Sequence, residues 1–104
     1  MITALVQFRF PQPLSKEKAR ELYTASARRY QGVPGLIRKY YLLTQDGSTG
    51  GGVYLWESRE AAERLYNAEW KKTLQDRYGA APSITYFDSP VVVDNAVGEV
   101  VTEG

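Results

Sequence analysis

The sequence predicts an α+β domain of ferredoxin-like topology, βαββαβ, with a four-stranded antiparallel sheet and both helices on one face. Three observations predict it. Period-two alternation marks strands near residues 2–10, 36–44 and 51–57 and again from residue 83. Apolar residues at three- and four-residue spacing mark helices after Ser15 and after Ser58. The order strand, helix, strand occurs twice within 104 residues, the length of one domain. Two right-handed crossovers then put both helices on the same side of the sheet.

The first strand alternates Val6, Phe8 and Phe10 with Gln7 and Arg9, the pattern of a half-buried strand. Pro11 and Pro13 end it, because proline brings no N–H to a ladder. Ser15 is the N-cap of a helix over about residues 16–31. Ala19, Leu22, Tyr23, Ser26, Ala27 and Tyr30 form its buried stripe, and Gly32 stops it. Pro34 pushes Val33 toward extended geometry. From Leu36 to Thr44, strict alternation sets Ile37, Lys39, Tyr41 and Leu43 on one face and Leu36, Arg38, Tyr40 and Leu42 on the other. Neither face is purely polar, so the strand is expected to be covered on both sides. Gln45 to Thr49 is turn chemistry. Gly50 to Gly52 either lengthen that turn or let another backbone come close. Tyr54 and Trp56 then alternate with Val53 and Leu55. Ser58 caps a second helical stretch carrying Tyr66, Trp70, Leu74 and Tyr78 at four-residue spacing, and Asn67 and Ala68 leave open a break into two helices. Gly79 ends it. Residues 83–93 form the last strand, interrupted by Pro90, so the segment beyond that proline is an edge strand, an arm or a separate short strand. The folded domain is expected over residues 1–93, with 94–104 a tail that is flexible or docks on a partner subunit.

Composition limits the chemistry. The chain is 43% hydrophobic and 24% charged, and 13 Lys+Arg against 12 Asp+Glu give a net charge of +1. That balance offers no electrostatic footprint for nucleic acid or an anionic membrane. There is no cysteine and no histidine. Thiolate nucleophiles, a Ser-His-Asp triad and His- or Cys-bearing metal and haem sites are therefore excluded. A general acid or base here is a carboxylate, a lysine or a tyrosine. No apolar run approaches the roughly 20 residues of a membrane span, and no charged and apolar leader precedes the first strand. A cytoplasmic protein is expected. The sheet face away from the helices carries aliphatic and aromatic residues too dense for water. Pairing two such sheets about a two-fold axis, as a dimeric α+β barrel, would cover it. The alternative is a monomer with its tail folded across that face.

Pro34-Gly35, Lys39, the run Gly51-Gly52-Val53-Tyr54-Leu55-Trp56 and the helical cap after it resemble the small YdhR-like putative monooxygenases. That family belongs to the dimeric α+β barrel superfamily, with the antibiotic-biosynthesis monooxygenases. The resemblance spans nearly the whole chain in element order, and its residues concentrate between 34 and 66. It implies a homodimer with a ligand cavity between sheet and helices in each subunit. The better-known relatives oxidise aromatic, polyketide-like compounds with O2, using neither metal nor flavin. Other branches bind haem or degrade it with a histidine, and this histidine-free chain departs from them.

Such chemistry must remove a proton, hold the resulting anion and exclude water. Lys39 is the candidate catalytic residue, as an oxyanion partner or, if desolvated, a base. The bland reading is a lysine whose stem covers the sheet while its head reaches water. Tyr41, Tyr54 and Trp56 on the strands and Tyr23 and Trp70 on the helix stripes are the candidate substrate-binding residues, as flat apolar bodies with polar tips. Core or interface packing accounts for them equally. Glu57 and Asp88 have no identified partner, so no carboxylate dyad is assigned. Three functions are compatible with these residues: a cofactor-independent monooxygenase acting on a small aromatic or quinone-like compound, a non-catalytic small-molecule-binding dimer, and an assembly or regulatory subunit.

Overall fold

The computed structural model describes residues 1–103. Its elements are β1 (Ile2–Arg9), α1 (Lys16–Ala27), β2 (Leu36–Leu43), β3 (Thr49–Trp56), α2 (Arg59–Leu65), α3 (Ala68–Tyr78), β4 (Ser83–Asp88), β5 (Val91–Asp94) and β6 (Glu99–Thr102). The first four strands form one sheet in the order β2-β3-β1-β4, every neighbouring pair antiparallel. That is the ferredoxin-like sheet the sequence predicts.

Register assigns the faces. Ala4 of β1 opposes Tyr54 of β3 and Tyr86 of β4, and Val6 opposes Gly52 and Ile84. These residues face the helices and form the core with Trp56, Phe8, Phe10, Tyr23, Tyr66, Trp70, Leu74 and Tyr78. Tyr54 and Trp56 are among the largest fully buried side chains. Leu5, Val53, Tyr40 and Phe87 point to the other face.

Local chemistry explains most boundaries. The Ser15 hydroxyl accepts from the Lys18 N–H at 3.1 Å and opens α1. The expected helix to residue 31 ends sooner: α1 stops at Ala27 and tightens into a 3-10 turn, Arg28–Tyr30. The open question at Asn67 resolves as a break. Asn67 Oδ1 accepts from the Trp70 N–H at 2.9 Å, capping α3 one residue after Tyr66 leaves helical geometry. Gly79 closes α3 in the left-handed region, φ +82°.

In the central hairpin one feature departs from the sequence reading, and one choice left open there, the role of Gly50 to Gly52, is decided for close backbone approach. Strict alternation places Ile37 beside Lys39, but the β2–β3 register shifts between Leu36 and Arg38. This β-bulge turns Leu36 and Lys39 to the same face and leaves Ile37 exposed. The glycines lie inside β3 rather than in the turn. Gly51, at φ +153°, presses against the Val6 carbonyl, where a Cβ would collide.

Beyond Pro90 the chain forms an antiparallel hairpin, Val91 facing Thr102 and Asp94 facing Glu99. Asp94 is tied to β2 by Arg38 at 2.6 Å, and Glu103 pairs with the Met1 amino group. The residues read as a tail thus include the second strand of this hairpin. No helix among the described residues is long and apolar enough to cross a membrane.

Candidate active site

A cavity of about 270 Å³ lies between the sheet and the helices. Its floor is β1 (Val6, Phe8), β2 (Lys39, Tyr41) and β3 (Gly51, Gly52, Tyr54), and its roof is Tyr23, Ser26 and Tyr30 on one side and Trp70, Leu74 and Tyr78 on the other. The space is there because the floor lacks side chains at its centre. A Cβ on Gly52 would stand 3.1 Å from the Tyr54 ring and 3.2 Å from Lys39 Cε.

Lys39 is the cation of the interior. Its Nζ lies 3.3 Å from the ring centroid of Tyr30, 3.8 Å from that of Tyr41 and 4.6 Å from that of Tyr54. No carboxylate among the described residues forms an ion pair with it. Burial pulls its pKa down to about 6. The three ring faces favour the ammonium and oppose that pull. Both the amine and the ammonium are therefore accessible near neutral pH.

The tyrosines are held by hydrogen bonds that fix their orientation. Ser26 Oγ donates to the Tyr23 carbonyl at 2.9 Å, so it accepts from the Tyr41 hydroxyl at 2.7 Å. The Tyr23 hydroxyl donates to the Leu42 carbonyl at 2.8 Å. Trp70 Nε1 donates to the Tyr30 hydroxyl at 3.1 Å, which leaves the Tyr30 proton free to donate. Burial pushes Tyr23 and Tyr41 up to about 12 and raises Tyr54 as well. These phenols stay protonated and serve as donors. Burial leaves Lys39 able to take up or release a proton near neutrality.

The structure brings Lys39, Tyr41, Tyr54, Tyr23 and Trp70 to one cavity. It does not bring Trp56 there. That ring is wholly buried, and its Nε1 donates to the Tyr66 hydroxyl at 3.0 Å. Trp56 shares a strand face with Tyr54 but lies two residues further along, beneath Tyr66 and outside the wall. The sequence reading left out Tyr30 as a site residue, although its place on the α1 stripe was visible. It also left out Arg29, Arg64, Asn67, Glu69 and Arg77, which line the same cavity from the ends of three elements. Helical phase gives no signal for those. Among the described residues, no three His, Cys, Asp or Glu side chains gather as a metal site.

Several solved structures share this fold. A monooxygenase from the ActVA-Orf6 gene of Streptomyces coelicolor, in complex with nanaomycin D, is 23% identical with a TM-score of 0.67, covering 85% of this chain and 86% of that one. SnoaB, a cofactor-independent oxygenase from Streptomyces nogalater, is 14% identical with a TM-score of 0.62, covering 85% and 91%. A MhuD variant with two manganese protoporphyrin IX molecules bound per active site is 17% identical with a TM-score of 0.67, covering 91% and 100%. No curated protein matches the chain. The family described as "putative mono-oxygenase ydhR" matches residues 4–88, and the chain belongs to it.

Proposed function

We propose that the protein is a cofactor-independent monooxygenase that oxidises a small aromatic or quinone-like compound with O2 in the cavity between sheet and helices. The observation that carries this reading is Lys39, an amine with no carboxylate partner among the described residues, set among three tyrosine rings in an aromatic cavity. In such a reaction the substrate supplies the electrons. The Lys39 amine takes the substrate's acidic proton and, as ammonium, holds the oxyanion that results. The electron-rich anion adds O2 at carbon, and the resulting peroxide anion takes the proton back from the Lys39 ammonium. Loss of water from the hydroperoxide, with the remaining hydrogen on that carbon, leaves a carbonyl and the free amine. Tyr54, Tyr41, Tyr23 and Trp70 position the ring and keep water out. A cavity of about 270 Å³ suits a compound of two or three fused rings.

The test is oxygen uptake with hydroxylated naphthalenes and anthrones. Lys39→Met should lower turnover by about a hundredfold or more while leaving the melting temperature within a few degrees. Retained turnover would remove Lys39 from the mechanism. Binding without any oxygen uptake by the native protein would make it a small-molecule binder instead.

We also infer that the protein is a homodimer. What supports it is the face away from the helices, where Tyr40 and Phe87 remain 55% and 52% exposed. On the β5–β6 hairpin, Val93 and Val100 are 64% and 66% exposed. Apolar surface of this kind on one small chain is the mark of an interface.

A further inference from the structure

The charges around the cavity are one-sided. Arg29 follows α1, Arg64 lies in the last turn of α2 and Arg77 in the last turn of α3, and all three line the cavity with Lys39. Glu69 is the single carboxylate among the lining residues. A chain whose net charge is +1 therefore lines one cavity with three arginines and one carboxylate, besides the buried Lys39. None of the three arginines has an ion-pair partner among the described residues, whereas Arg38 and Arg59 do. Placing basic residues in the last turn of a helix satisfies its dipole. That accounts for each arginine singly and not for all three lining one cavity. Arg29 and Arg64 are exposed, so they stand at the rim, while Tyr54 and Tyr78 are buried at the inner end.

We propose that the cavity takes an aromatic acid, its ring inward among the tyrosines and its carboxylate at the mouth against Arg29, Arg64 and Arg77. This rests on the cavity being the substrate site and names the substrate class for it. Guanidinium groups pair with carboxylates in fork geometry, and a cluster of like charge at a cleft draws anions in. Lys39 remains free for the reacting end of the ligand.

Calorimetric titration with 2-naphthoate, 2-naphthol and 1-naphthylmethylammonium tests it. The naphthoate should bind at least about tenfold tighter than the naphthol, and the ammonium should bind weakest. Each single Arg→Gln change should weaken naphthoate about two- to fivefold, as for exposed pairs, and the triple change should erase its advantage while leaving naphthol affinity unchanged. Raising the salt should act in the same direction as the triple change. Equal affinity for naphthoate and naphthol overturns the proposal and leaves the aromatic cavity intact. A naphthoate preference that survives the triple change but disappears in Lys39→Met also overturns it, by placing the acid inside. Naphthoate binding as described, with no oxygen uptake on any substrate, upholds the proposal and defeats the oxygenase reading instead.

Discussion

At the residue scale, the amine of Lys39 lies buried against the faces of Tyr30, Tyr41 and Tyr54. Lys39 could be named from sequence because it shares a strand face with Tyr41 and falls within the residues that resemble the family. Of its cage, Tyr41 and Tyr54 were candidates with it from the strand pattern, but Tyr30, on a 3-10 turn beyond the helix, was not. Trp56 shows the opposite limit: face parity says which side a residue points to, not how far along the strand the cavity reaches. Burial of Lys39 sets a pH dependence. Its folded pKa of about 6 lies below the ordinary lysine value, so between those two pH values the unfolded chain binds the extra proton. Stability from this group rises with pH across that window and is lost as pH falls through about 6. The slope is at most about 1.4 kcal/mol per pH unit, reduced by the ring faces that favour the ammonium. Of the facing tyrosines, burial pushes Tyr41 up to about 12 and also raises Tyr54, so neither competes with Lys39 between pH 6 and 9. Chemical denaturation across that range should show the rise in the native protein and not in Lys39→Met. An unchanged slope would mean the amine is solvated.

At the element scale, caps and stops were legible and irregularities were not. Ser15, Ser58 and Gly79 act by local chemistry and sit where the sequence puts them. The bulge at Ile37 arises from fitting Leu36 under the core and Lys39 into the cavity at once, a tertiary demand with no local marker. The α2–α3 break lies between the two, since Asn67 is a good cap that helical periodicity runs straight through. It delivers Trp70 to the roof and Tyr66 to the core from adjoining turns. The Asn67 side chain bonds both ways, to the Trp70 N–H and to the Arg64 carbonyl. Asn67→Ala should cost about 1 kcal/mol, read as a lower denaturation midpoint at constant m-value. A changed m-value would show that the break is needed for compactness as well as for stability.

At the scale of the whole molecule, topology was the most legible feature because alternation, helical stripes and crossover handedness all pointed to one arrangement. The hairpin past Pro90 was not, since four-residue strands resemble a tail. The uncovered sheet face gives the prediction that belongs here. Light scattering at micromolar concentration should return twice the mass of one chain. Tyr40→Glu combined with Phe87→Glu should return a single chain with an unchanged far-ultraviolet spectrum. A native protein that scatters as a single chain would overturn the dimer.

The floor of the cavity is main chain at Gly51 and Gly52. A wall of that kind can only be built upon: any mutation there adds atoms, and none can take them away. Along this side, evolutionary drift runs in one direction, toward smaller ligands. A descendant that accepts a bulkier compound must find its room at positions that carry side chains, such as Trp70, Leu74 or Tyr54. Relatives that accept larger ligands should therefore keep glycine at these two positions and differ elsewhere in the lining.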